Sequence, residues 1–294
     1  MKQTSITPEL CRPLSPARTA FNYGMTTIAF LLSGLALLPL LAILLEILRQ
    51  GIPGLKWEVL TNLPAPVGME GVPNGFANAI VGTLIMVGIA SLISIPVGIL
   101  TAIYLAEFSQ GKAIAQVIRF VVTVLSGVPS IVVGVFAYAV VVLTVKGFSA
   151  LAGGFALSII MLPIVILATE EALKLVPTSL RLASSALGAS RFQTVFRVTI
   201  ATALPGITTG VLLAVARASG ETAPLLFTAL FSQNWFEGLT SPTASLSVMI
   251  YNYANSAYAE QNKLAWSASV ILVGIVLFVN IASRIVTSNR FKNR

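Results

Sequence analysis

The stretch from Ile207 to Leu230 sets the terms for the rest of the chain, because it is apolar and long enough to cross a bilayer yet carries Arg217 and Glu221. A spanning helix needs roughly 20 predominantly apolar residues. A charge near its middle costs from about 2.5 to more than 10 kcal/mol, so it normally faces a bundle interior or a watery cavity. Four positions apart, Arg217 and Glu221 share one helix face. The fold must therefore place a polar point inside a membrane and surround it. Upstream, from Leu175, the sequence is basic and rich in small residues, with Arg181, Arg191 and Arg197 around Ala-Leu-Gly-Ala-Ser. That half belongs in water.

Only 10% of residues are charged and 56% are hydrophobic, against about 25% charged in soluble domains, which makes the chain an integral membrane protein. There is no His, one Cys, and every acid is Glu. Those absences exclude a Ser-His-Asp triad, a His/Cys metal cluster and a disulfide framework. Cys11 reads as an incidental free thiol in a polar tail. No GxxxxGK[ST] loop occurs, so ATP is not bound through that motif, and no cofactor is expected on this chain.

The pattern predicts an all-α protein of six transmembrane helices: Tyr23 to Leu48, Asn78 to Leu105 with Pro96 inside, Phe120 to Val145, Leu151 to Ala168, Ile207 to Leu230, and Leu264 to Val286. The first is too long for a signal peptide's apolar region and lacks its cleavage pattern. Residues 1–21 form an N-terminal tail, 22–75 the first span and a Pro/Gly-rich loop, 76–286 the core with a basic segment at 175–205, and 287–294 a basic C-terminus. With both termini inside, thirteen Lys and Arg flank the spans on the cytoplasmic side and four on the other, a positive-inside bias. The net charge of +8 thus reflects topology against membrane lipid and not nucleic-acid binding. Glycines within spans, such as Gly82, Gly88 and Gly98, read as points of close helix approach.

Three stretches carry candidate chemistry. Pro129, in Gly127-Val128-Pro129-Ser130, breaks regular helix bonding near the start of the third span. Pro224 lacks an N–H and its ring clashes with the carbonyl of Gly220, so the fifth span should kink there. Beside that kink Arg217 offers a planar, permanently charged fork suited to oxyanions. The plainer reading, an Arg217–Glu221 ion pair that only fixes packing, stands equally open. In the third stretch, Gly188 lies among small residues at a turn between short helices, ahead of an apolar Phe192-Val195-Phe196 face and Leu204-Pro205. It suits close approach by another protein, or alternatively a basic helix lying on headgroups.

Asn78-Ala-Ile-Val-Gly-Thr-Leu, Pro96 to Glu107, Ser126-Gly-Val-Pro-Ser-Ile-Val-Val-Gly134 and Ala216-Arg-Ala-Ser-Gly-Glu-Thr-Ala-Pro-Leu-Leu-Phe-Thr-Ala229 together closely resemble the PstA-type permease subunits of bacterial phosphate ABC importers. The resemblance implies a type I ABC importer permease fold in a cell inner membrane. It also implies a PstC-type permease, a PstB-type ATPase dimer holding ATP and Mg, and a PstS-type binding protein as partners. Inorganic phosphate would pass Arg217, Glu221 and Thr222. A coupling helix over Ala183–Arg197 would meet the ATPase, through Ala183, Ala186, Leu187, Gly188, Ala189, Ser190 and Arg191. The family's Glu-Ala-Ala is here Leu182-Ala183-Ser184, without the acid. Two rival functions remain: an ion-driven carrier acting without an ATPase, with Glu221 as its proton site, and an intramembrane enzyme. The second is disfavoured by the missing His and Asp, the first by the lack of a repeated half.

Overall fold

Helices supply all the regular structure among the described residues of a computed structural model, which covers residues 15–66, 72–109 and 111–292. Most of the expected N-terminal tail, with Lys2, Cys11 and Arg12, lies outside them, as do Arg294 and the side chains of Arg290 and Lys292. Helix α1, Pro16–Gly51, forms most of a separate compact unit. It begins inside the expected tail, since Pro16 sits at the first helical position, where its missing N–H costs nothing. Apolar side chains emerge on every side of it, Phe30 and Leu38 among them, as suits a helix solvated by hydrocarbon.

The second unit comprises α2 (Trp57–Thr61), α3 (Ala77–Phe108) and the bent pair α4 (Ala113–Gly127) and α5 (Ser130–Val145). After these come α6 (Ala150–Lys174), α7 (Thr178–Ala186) and α8 (Arg191–Gly220). The chain continues as α9 (Ala223–Thr228), α10 (Leu246–Ala254) and α11 (Ala259–Lys292). Helices α1, α3, α6, α8 and α11 are long and apolar enough to span a membrane, and α4 with α5, bent by 105°, makes a sixth crossing if the two act together.

Helices α3 and α6 run parallel at the centre. Gly98 faces Val165, where a Cβ would stand 2.7 Å from Val165 Cγ1, and Gly154 faces Ile89 in the same way. Gly82 likewise leaves room for the carbonyl of Ala244, whereas Gly88 meets no neighbour among the described residues of this chain. Met86, Ala90, Leu157, Met161 and Val165 fill the seam, joined by Ala214 and Ala218 of α8. Helix α8 packs on α6 in the opposite direction, Gly206 against Ala172 and Gly210 against Ala168. Small residues at such contacts let backbones approach, which drives association where no water can be expelled.

Several elements depart from the sequence expectations. The third span does not start at Phe120: α4 begins at Ala113 and takes in Arg119, because Ala115, Ile118 and Val122 recur on one face and pack on Ala102, Leu105 and Ile166. Helix α6 continues past Ala168 to Lys174, since Glu170 within it is paired with Arg119 and Lys174. Helix α11 starts at Ala259 instead of Leu264. The stretch between the expected fifth and sixth spans contains α10, too short an apolar run to stand out. Asn78 of α3 pins that region by donating to the carbonyls of Ser232 (2.9 Å) and Asn234 (3.2 Å). Thr83 Oγ1 accepts the Leu246 N–H at 2.9 Å, and Ser245 caps α10 through the Val248 N–H.

Candidate functional site

The fifth span is not one continuous helix over Ile207–Leu230. Its helix, α8, starts at Arg191 and stops at Gly220, and Glu221 is extended (φ −72°, ψ 126°). Pro224 therefore does not kink a running helix over the Gly220 carbonyl. It occupies the first turn of α9, where an N–H is not needed. Arg217 lies in the last turn of α8, where a cation complements the partial negative charge of the helix end. The Glu221 carbonyl accepts the Ser247 hydroxyl at 2.9 Å, so a distant helix satisfies what the break exposes.

A second break meets the first. Helix α4 ends at Gly127 and α5 begins at Ser130 with Pro129 as its cap, in extended geometry. Gly134 of α5 stands against the Pro224 backbone of α9, where a Cβ would fall 2.7 Å from Pro224 Cα. The antiparallel register of α8 on α6 steps one residue back along α6 for each residue forward along α8, which brings Arg217 level with Met161, near the middle of α6. A small cavity of about 40 Å³ confirms the level, lined among others by Ser126, Val128, Ser130, Ile160, Ile164 and Arg217. Two interrupted helices and a cation thus converge halfway along a spanning helix.

The Arg217–Glu221 pair is loose. Nε lies 3.4 Å from Glu221 Oε1, with the arginine side chain 56% exposed and the glutamate 15%. Charge-assisted bonds are normally about 2.7–2.9 Å. Among the described residues Arg217 donates to no other group, and it lines the cavity between the breaks. Thr222, half-buried, opens α9 and accepts the Leu225 and Leu226 N–H groups with its carbonyl. Ser126 and Ser130 were missed in the sequence. Their signal was membership of the Ser126–Gly134 string around Pro129 that carries the family resemblance.

The basic segment forms a second cluster. Helix α7 ends at Ala186, and Gly188 adopts φ +81°, a left-handed conformation that favours glycine. Ser190 then opens α8 with a capping box to Gln193. Ala183, Ala186, Leu187, Gly188 and Ser190 are exposed and Ala189 is half-buried. The helix preceding the turn is α7 alone. From Arg191 onward the expected coupling stretch already belongs to α8. Leu182, in the place of the family's acid, is 70% exposed.

Arg191 does not point its charge outward. Its guanidinium donates to the Glu107 carbonyl and lies 5.2 Å from the centre of the Phe108 ring. Arg181 donates to Glu107 Oε1 at 2.7 Å and to the carbonyls of Leu173 (2.9 Å) and Val176 (3.1 Å). Glu107 sits in a π-helical turn, Tyr104–Phe108, that ends α3. Arg119 similarly holds Glu170 and the Leu105 carbonyl. In the sequence Arg119 and Arg181 read only as topology markers and Arg191 as an ATPase contact, because the glutamates that they meet lie 51 to 84 positions away.

A multi-span helical bundle with interrupted helices at mid-height and a basic turn at one end defines the class: residues 94–291 match the family described as binding-protein-dependent transport system inner membrane component. Two solved type I neighbours share the fold. One comes from the MetNI methionine ABC transporter (TM-score 0.58, 21% identity, 72% of this chain and 94% of that one), the other from a bacterial alginate ABC transporter (TM-score 0.59, 19% identity, 92% and 96%). The phosphate transport system permease protein PstA of Yersinia pestis is 41% identical over 273 residues, 93% of this chain and 90% of its own length. That of Pasteurella multocida is 41% identical over 265 residues, 90% and 93%, and PstA 1 of Mycobacterium tuberculosis 35% over 290 residues, 96% and 92%. The chain belongs to the PstA family of phosphate transport permeases and is a multi-pass membrane protein.

Proposed function

We propose that this chain is one half of the translocation pathway of an ATP-driven importer of inorganic phosphate, and that phosphate passes the space between the two helix breaks. The observation that carries the reading is the meeting of those breaks at Arg217, level with the middle of α6. Interrupted helices at mid-membrane give an ion polar contacts that continuous helices withhold. The loosely held guanidinium lends positive charge to a passing anion, and Glu221 limits how tightly that charge binds, so that cargo is released. Thr222 and the Ser126 and Ser130 hydroxyls offer further neutral contacts.

The chain is a permease component and no enzyme. ATP and Mg belong to a separate ATPase, for which the exposed face of Ala183, Ala186, Leu187 and Gly188 is the docking surface. A PstC-type permease completes the pathway, two PstB-type subunits hydrolyse ATP, and a PstS-type protein delivers phosphate from the far side. The positive-inside count puts both termini and the Gly188 turn in the cytoplasm. Reconstitution tests this. Phosphate uptake should require the second permease, the ATPase and ATP, whereas uptake by this chain alone in response to an ion gradient would establish the carrier reading instead.

A further inference from the structure

We propose that Glu107 is a positioning residue that passes movement of the Gly188 turn into α3, an inference that rests on the reading of that turn as the ATPase docking point. The turn itself is barely held by packing. Leu187 is 88% exposed, and a Cβ at Gly188 would meet nothing within 4 Å. What fastens it is the pair of arginines on its two sides, Arg181 before and Arg191 after. Both converge on one residue of α3: Arg181 on the Glu107 carboxylate and Arg191 on the Glu107 carbonyl.

Glu107 is 8% exposed, so its charge depends on Arg181 for compensation. Arg181 also holds the carbonyls of Leu173 and Val176 at the end of α6, the helix packed along α3. A displacement of the turn therefore reaches the two central helices through Glu107 and Arg181. The neighbouring Arg119–Glu170–Lys174 cluster joins α4 to α6, and reaches α3 through the bond from Arg119 to the Leu105 carbonyl, but touches neither side of the turn. It is the natural comparison, an ionic tie around a buried glutamate that receives nothing directly from the turn.

The test uses the complete importer in proteoliposomes and reads ATP hydrolysed per phosphate delivered. Glu107→Gln should assemble normally and raise that ratio about fivefold or more, in the range of ordinary coupling energies between sites. Glu107→Asp should recover part of the loss, and Glu170→Gln should leave the ratio unchanged. Equal ratios in Glu107→Gln and wild type would overturn the proposal. So would equal rises in the Glu107 and Glu170 variants, or failure of Glu107→Gln to assemble while Glu170→Gln does, since each assigns Glu107 to folding alone. Docking is checked separately by Leu187→Cys in a Cys11→Ser background carrying a maleimide photo-cross-linker. Absence of a cross-link to the ATPase defeats the docking reading itself, whereas a retained cross-link with an unchanged ratio defeats only the role of Glu107.

Discussion

Two Arg–Glu pairs in this protein are built to opposite purposes. At mid-height Arg217 reaches Glu221 at 3.4 Å with its side chain 56% exposed, while at the end of α3 Arg181 reaches Glu107 at 2.7 Å with 26% exposure. Arg181 also donates to two helix-end carbonyls while its buried Nε keeps no partner, and Arg217 donates to nothing further among the described residues. A guanidinium bound by the protein at three points fastens elements together. One whose donors are left over is available to an anion.

That contrast is open to direct attack. Arg217→Gln should lower ATP-driven phosphate uptake by roughly two orders of magnitude, the loss typical of deleting one oriented donor to a developing or passing anion, with assembly and thermal stability of the complex intact. Wild-type uptake in the assembled variant would erase the distinction. Arg181→Gln should do the reverse in emphasis, lowering the thermal stability of the purified complex by about 1–3 kcal/mol as Glu107 loses its partner. The lower end is expected because the arginine is partly solvated, and an unchanged melting curve would show that the tight geometry fastens nothing. Glu221→Gln should alter uptake by no more than about threefold, as a loose and half-solvated pair permits, and should slow phosphate release. Complete loss of transport there would make the glutamate an essential partner. Leu182→Glu, which restores the acid usual in the family, should change ATPase affinity by less than about twofold at this exposed position, measured by co-purification at rising salt. A large effect would show that the apolar docking face is tuned around Leu182.

The helical class and the apolar spans were legible because hydropathy runs are local. The breaks were legible as positions but not as geometry. Pro129 announced an interruption, yet nothing local fixed a 105° bend between α4 and α5. Pro224 pointed to a kink, whereas the helix ends at Gly220 and restarts, a choice made possible by Ser247, 26 positions on, bonding the Glu221 carbonyl. Asn78, Gly82 and Thr83 carried the family resemblance without revealing why. Their task is to hold the segment leading into α10, a long-range packing requirement that periodicity does not encode. Glu107 escaped notice for the same reason, since its carboxylate partner lies 74 residues away.

The cavity beside Arg217 measures about 40 Å³, room for a few water molecules. On the proposed route it is a wettable gap between two helix breaks, so an ion arriving there exchanges hydration for fixed polar groups and never meets bare hydrocarbon. A crossing arranged in that way asks little of the lipid around it and leaves selectivity to the few side chains at the gap.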